Sequence, residues 1–229
     1  MVFAELDRRY RESGRHYHTW EHIRECLEEL DRARKQGEAG EAAAVETAAV
    51  DTAAVQTALW FHDAVYDPRA ADNEERSARL ARDVVRSMGL SETFGRRVEA
   101  LILATRVDPT AGSEQTADRG EDGETMGERG GDGAWRGEGP SRSDIRLIRD
   151  VDLSILGKPP RRYRRYELDI RREYAWVPVE EFRRRRGALL RQLLSRRRLY
   201  GTELFRNLYE VRARGNLRWS LRRLGFPVS

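Results

Sequence analysis

The stretch Leu59-Trp60-Phe61-His62-Asp63-Ala64-Val65-Tyr66-Asp67 decides how the chain folds. Val55, Ala58, Leu59 and His62 recur at intervals of three, four and seven residues, so they share one face of a helix and the imidazole sits on its buried side. Asp63 follows directly. An ionised carboxylate taken out of water needs a counter-charge, a hydrogen-bond network or a metal ion, so this helix end calls for partners from elsewhere in the chain. Asp67-Pro68 closes the segment, because the residue before a proline is disfavoured in the helical region.

A His-Asp pair by itself reads equally as a hydrogen-bonded histidine at a helix end. The placement of the other histidines singles this pair out. The chain has four in all, and the other three lie together in Arg15-His16-Tyr17-His18-Thr19-Trp20-Glu21-His22. Thr19 can cap a helix running to Arg34, whose apolar stripe is Trp20, Ile23, Leu27 and Leu30. His22 falls in the first turns of that helix and borders the stripe. His18 stands about one turn earlier, facing the same side.

Helical periodicity governs the rest of the chain. Residues 3–13 suit a short helix, and Lys35 to Gly40 is a polar break. Residues 43–57 form three pentads, Ala-Ala-Val followed by Glu-Thr, Asp-Thr and Gln-Thr. A five-residue period advances about 500° around a helix, so its valines spiral instead of forming a stripe, and the pentads read as a slippage-like extension of the helix that reaches His62. Asp72 can cap a helix over 73–88, and Ser91 another with Phe94, Val98, Leu101, Ile102 and Thr105 on one face. Residues 109–143 hold 9 of the 19 glycines and 8 acidic residues, with almost no large apolar group besides Trp135. Such a segment has too little to bury and reads as a disordered or loosely ordered insertion. Beyond it, Ile145, Ile148, Val151 and Ile155 form a stripe that includes Asp152, a second inward carboxylate, whereas Asp150 is assigned to another face. Tyr163 to Val177, Leu189 to Leu194, Leu199 to Val211 and Ala213 to Leu224 continue in helical periodicity. With no strand pattern anywhere, the expected fold is an all-α bundle in a single domain, 1–229, with the basic helices of 158–229 packed on the same body.

The net charge is +4, and residues 158–229 carry 21 basic against 7 acidic residues. Only Lys35 and Lys158 among the 43 basic residues are lysines, a bias that points to base composition more than to phosphate binding. The chain shows no RNP, zinc-finger or glycine-lysine signature, so a nucleic-acid-binding protein with a structural metal stands as an alternative only. The one cysteine, Cys26, excludes an internal disulfide and fits a reducing cytoplasm. No signal-peptide pattern and no apolar run of about 18 residues indicates export or membrane spanning.

Together, His22, His62, Asp63 and Asp152 give two imidazoles and two carboxylates on three helices, a mixed nitrogen and oxygen set that suits one divalent ion among Mn, Fe, Co, Ni, Zn and Mg. The order His, His-Asp, Asp on a helical chain resembles the HD superfamily of metal-dependent phosphohydrolases. More closely, Arg15 to His22, Trp60 to Asp67, Asp72-Asn73-Glu74-Glu75-Arg76-Ser77, Asp152 to Gly157 and Ile170 to Tyr174 resemble the small bacterial predicted HD-domain phosphohydrolases, over roughly residues 10 to 217. The resemblance implies His22, His62, Asp63 and Asp152 as metal ligands. Tyr17 to His22 is also similar to the cyclic-nucleotide phosphodiesterase motif, which implies His18 as proton donor. Asp67 stands where the family often has an acidic group and is a candidate for orienting water, beside its plainer reading as a helix-ending turn. Related chains commonly carry a histidine shortly after Ala104-Thr105. Here Arg106-Val107-Asp108 follows, which favours a mononuclear hydrolytic centre over a diiron one. Arg15 and Arg171 are candidates for steadying phosphate charge.

The expected activity is hydrolysis of a phosphate ester of a small metabolite, a nucleotide first among them, by metal-activated water. A non-catalytic ligand-sensing module that keeps the pocket is the other alternative.

Overall fold

Short polar residues start several of the helices, and their caps fix where the elements fall. In the computed structural model, which describes residues 2–38, 50–106 and 139–227, the helices are α1 (Val2–Tyr10), α2 (Trp20–Glu38), α3 (Thr52–Phe61), α4 (Asn73–Ser87), α5 (Glu92–Ala104), α6 (Arg142–Asp152), α7 (Pro160–Glu173), α8 (Val179–Ser195) and α9 (Glu203–Arg223). A 3-10 turn, Leu153–Gly157, follows α6 directly. No strand occurs among the described residues, so the fold is all-α. No helix among them is long and apolar enough to cross a membrane.

Asp51, Ser91 and Thr202 cap α3, α5 and α9 by accepting from the backbone N–H three residues on. Ser141 and Asp144 form a reciprocal capping box on α6. Ile23, Leu59, Leu101, Ile102, Ile148 and Val151 are fully withdrawn from solvent where α2, α3, α5 and α6 meet. Of the residues singled out above, His22 lies on α2, Asp152 ends α6, and His62 and Asp63 directly follow α3.

Several sequence expectations need correction. The pentads do not extend α3 as a whole: Asp51, in the second pentad, is the N-cap, because its carboxylate satisfies the Ala54 N–H at 3.1 Å. Residues 43–49 lie outside the described residues, as do residues 109–138 of the expected insertion. The body resumes earlier than expected, since Ser141, Arg142 and Ser143 already belong to the cap and first turn of α6. Asp72 stands at the start of α4 without a side-chain cap bond. Asp150, assigned to another face, is in fact buried. Its carboxylate accepts from the backbone N–H groups of Gly201 and Thr202, both at 2.7 Å, and from the Thr202 hydroxyl at 2.6 Å. It thereby ties α6 to the head of α9. Burial pushes this carboxyl up to about 6 despite those donors. Leu199 to Thr202 is a loop, and the helix after it runs unbroken to Arg223.

Gly157 lies against α9 so closely that a Cβ there would run into the Tyr209 side chain. Asn216 donates to the carbonyls of Leu156 and Lys158 at 2.7 and 3.0 Å. These contacts hold the 3-10 turn, and with it the end of α6 at Asp152.

The ends that flank residues 107–138 do not meet. The Asp51 N–H donates to Asp144 at the head of α6, and Arg97 of α5 pairs with the Asp51 carboxylate. Arg149, seven residues on from the first residue of α6, donates to the carbonyl of Ala104 at the end of α5 at 2.6 Å. A linker must therefore run back along α6, about 10 Å at 1.5 Å per residue. Replacing 109–138 by eight Gly/Ser residues leaves the melting temperature nearly unchanged, because the segment has few apolar groups and closure entropy varies slowly with length. Extending the deletion through Ser143 removes the Ser141 cap and lowers the melting temperature by a further 2–4 °C or so, as expected for loss of about 1 kcal/mol in a chain of this size. Equal melts for the two deletions would show that the cap is not part of the body.

Candidate metal centre

Three separate segments deliver four donor groups to one place. His22 lies in the first turn of α2, His62 is the C-cap of α3 with Asp63 next to it, and Asp152 is the last residue of α6. His62 Nδ1 donates to the Leu59 carbonyl at 2.9 Å, which fixes the proton on that nitrogen and turns Nε2 inward. The two Nε2 atoms lie 3.1 Å apart. The Asp63 Oδ2 is 3.0 Å from His62 Nε2 and 3.4 Å from His22 Nε2. The Asp152 Oδ1 is 3.3 Å from His22 Nε2 and 3.6 Å from His62 Nε2.

These separations are those of donor atoms around a common ion. Metal bonds of about 2.0–2.2 Å give neighbouring ligand atoms about 3.0–3.5 Å apart in octahedral or tetrahedral arrangements. Without a cation the arrangement is costly, since at most one of two facing imidazole nitrogens can donate to the other and two carboxylates stand beside them. The electrostatics follow from this. Burial pulls both imidazoles down, but Cys26, Tyr17, Asp152 and Asp63 around His22, and Asp63 and Asp152 around His62, overcome it and hold both well above the usual range. Burial raises the carboxyls, yet the histidines hold Asp63 well below its ordinary value and Asp152 at about 2. The site favours positive charge, as protons or as a metal ion, and its donor set fits a divalent transition metal.

Cys26, read from sequence only for its redox state, is the unexpected neighbour. Its Sγ and the donor atoms of His22, His62 and Asp152 all lie within 4.8 Å of one another. It is nearly equidistant from the two nitrogens of His22, at 3.7 and 3.8 Å, which puts the sulfur beside the ring and off the line of the Nε2 lone pair. Asp63, close to both Nε2 atoms, is the better fourth ligand.

His18 belongs to a second cluster beside the first. Its ring centroid is 6.1 Å from that of His22, and Tyr66 stacks on it at 4.0 Å. Its Nδ1 donates to Glu173 Oε2 at 2.7 Å, and the Tyr66 hydroxyl donates to the same oxygen at 2.9 Å. The other oxygen, Oε1, accepts from the backbone N–H groups of His16, Tyr17 and His18 at 2.7, 2.7 and 3.0 Å. Burial acts to raise the Glu173 carboxyl, but the bonds from His18 and the backbone prevail and hold it at about 2. Glu173 was missed as a site residue. The signal was present, for Glu173 follows Tyr166 and Ile170 on the buried stripe of α7, the same pattern that marks Asp152.

The other candidates lie elsewhere or are already engaged. The Arg15 guanidinium is buried and donates to the carbonyls of His18, Asp63 and Ala64 at 3.2, 2.5 and 3.0 Å, with Glu12 at 3.0 Å. It clamps the His16–Thr19 turn to the turn after α3. Arg171 donates to the carbonyls of Tyr174 and Val177 and covers the Phe182 ring. Asp67 is exposed, accepts from the Arg69 N–H at 2.9 Å and exchanges two main-chain bonds with the Asn73 side chain. That is its turn-forming reading.

The Glu173 carboxyl, near 4.3 in an unfolded chain, is depressed to about 2 in the fold, so its stabilisation is present above pH 4.3 and is lost as the pH falls towards 2. Its side chain is fully enclosed. Glu173→Gln therefore destabilises the fold by about 3 kcal/mol at pH 7, taking about 1.4 kcal/mol per unit, and urea melts show the gap to the parent closing between pH 4.5 and 2. A gap independent of pH contradicts the assignment. Comparison with protein-family models, curated proteins and solved structures returned no match.

Proposed function

We propose that the chain is a metal-dependent phosphohydrolase of the HD type, acting on a phosphate ester of a small metabolite, with nucleotides as the foremost class. The observation that carries this reading is the convergence of His22, His62, Asp63 and Asp152 with five donor separations between 3.0 and 3.6 Å. A divalent metal bound there supplies a Lewis acid that acidifies water and polarises a phosphoryl oxygen.

The protein's own residues supply orientation and a proton. Arg15 fixes the carbonyls around Asp63 and so sets where that carboxylate stands. Glu173 holds the Nδ1 proton of His18, which leaves Nε2 as the nitrogen that exchanges a proton with substrate. In this reading His18 protonates the leaving oxygen, and the ionised Glu173 stabilises the imidazolium before transfer. The His18–Glu173 pair beside the four donor groups supports hydrolysis over ligand sensing, because it keeps a proton-exchanging nitrogen next to the candidate metal position. Arg15 and Arg171 are better placed to brace the backbone than to hold phosphate, and Asp67 to form a turn.

Purified protein is expected to carry about one transition-metal equivalent by elemental analysis. His62→Ala loses metal and activity together, since it leaves Asp63 buried without its partner. His18→Ala keeps its metal and loses turnover roughly 10²–10⁴-fold, and a nitrophenyl ester, whose leaving oxygen needs little protonation, is affected less than a natural ester. Equal loss on both esters, or loss of metal from His18→Ala, overturns the donor role. Absence of phosphate release from a nucleotide and phosphomonoester panel with Mn, Co, Ni and Mg overturns the function.

A further inference from the structure

Many arginines of this chain are paired with carboxylates, but those beside one groove are not. Arg82 pairs with Glu92 and Glu99, Arg184 and Arg185 with Glu181, and Arg162 and Arg165 with Glu25 and Glu21 across α2. The opposite side of α7 differs. From Pro160 to Tyr166, and again from Val211 to Arg223 on α9, the sequence contains no acidic residue. Among the described residues, no carboxylate lies within ion-pair distance of Arg161, Arg164, Arg212, Arg222 or Arg223, and all five are exposed.

Between these two helices lies a groove of about 260 Å³, lined by Pro160, Tyr163, Arg164, Arg212, Asn216 and Trp219 among others. None of the four metal-centre donors lines it. Trp219 is partly exposed in it, with the Arg164 guanidinium 5.1 Å and the Arg223 guanidinium 5.6 Å from its ring. Arg212, Trp219 and Arg223 stand seven and four residues apart, so they form one stripe along α9.

We propose that this groove is a binding surface for single-stranded nucleic acid, independent of the metal centre. Unneutralised guanidinium groups on two helices match a run of phosphates, and an indole set among them offers a stacking face for a base, the combination that single strands use. Charge complementarity favours a polyanion over an apolar partner. A lipid surface fits less well, because an interfacial helix needs an apolar face to insert, and the only strongly exposed large apolar residue on α9 is Val211. Duplex readers insert a helix in a groove, whereas here α9 packs along its length against the body through Leu204, Phe205, Leu217 and Leu221.

The test uses the full-length metal-loaded protein and a fluorescein-labelled twelve-residue oligodeoxythymidylate, with its integrity checked on a gel afterwards. Binding is followed by anisotropy between 50 and 300 mM NaCl. The expected result is binding whose log K falls with log salt at about −0.7 per phosphate contact, hence a slope of about −2 to −3. Arg164→Gln with Arg223→Gln makes that slope shallower by about 1.4, and Trp219→Leu weakens binding with the slope unchanged. Both variants keep the parent melting temperature, metal content and any ester hydrolysis. No binding at 100 µM protein in 50 mM salt, or variants that bind as the parent does, overturns the proposal. So does equal or tighter binding to polyglutamate, to phosphatidylserine vesicles or to the duplex of the same length.

Discussion

Two imidazoles and two carboxylates converge with separations of 3.0–3.6 Å, and much of the surrounding structure holds them there. The imidazole–carboxylate contacts attract once a proton or a cation is present, whereas the two imidazole nitrogens at 3.1 Å do not assemble by their own attraction. Their positions come from the main chain. Arg15 binds three carbonyls in the turns that carry His18 and Asp63. Glu173 binds three consecutive N–H groups in the turn leading into α2. Asn216 and the close seat of Gly157 on Tyr209 fix the turn that follows Asp152. Turns leave main-chain polar groups unpaired, and here buried charged side chains satisfy them. The ionic residues near the site act mostly on backbone, and through it on the ligands.

Much of this was legible in the sequence where a periodic stripe carried a polar residue in an apolar position. His62 after Val55, Ala58 and Leu59, and Asp152 after Ile145 and Ile148, announce themselves by spacing alone. Glu173 was equally announced on the Tyr166–Ile170 stripe, but in a helix so rich in charge that the buried carboxylate did not stand out. Asp150 was misplaced because the α6 stripe accounts for only one of the faces that become buried. The loop before α9 covers another, and no local pattern encodes a contact 51 residues away. Arg15 shows the opposite limit. As an arginine beside the histidine cluster it was a candidate for steadying phosphate charge, whereas burial against Tyr10 and Tyr66 makes it a brace. Burial, not residue type, separates the two roles.

Arginine abundance makes the same point on the scale of the molecule. Composition alone gives 43 basic residues and a modest net charge of +4. The structure sorts those residues by what faces them. Arg15, Arg171 and Arg186 are inward braces that donate to carbonyls or to Tyr166 and Glu167. A second set forms exposed pairs along single helices, such as Arg8 with Glu5 and Arg24 with Glu28, which are screened by water and contribute little to stability. Arg161, Arg164, Arg212, Arg222 and Arg223, beside the α7–α9 groove, have no carboxylate partner among the described residues.

That asymmetry bears on how the two ends of the molecule relate. The candidate metal centre draws its donor groups from α2, the end of α3 and α6, and both of its histidine rings are almost wholly covered. The groove draws on the first turns of α7 and the second half of α9, and it is open and cationic. α7 spans both, with Arg164 near its start and Glu173 at its end, about 14 Å apart at 1.5 Å per residue. A rigid helix of this kind fixes the distance between the two surfaces without requiring either to change shape. Salt weakens the field of a polyanion in the solvent-facing groove, so coupling between the two surfaces is strongest for one molecule that occupies both.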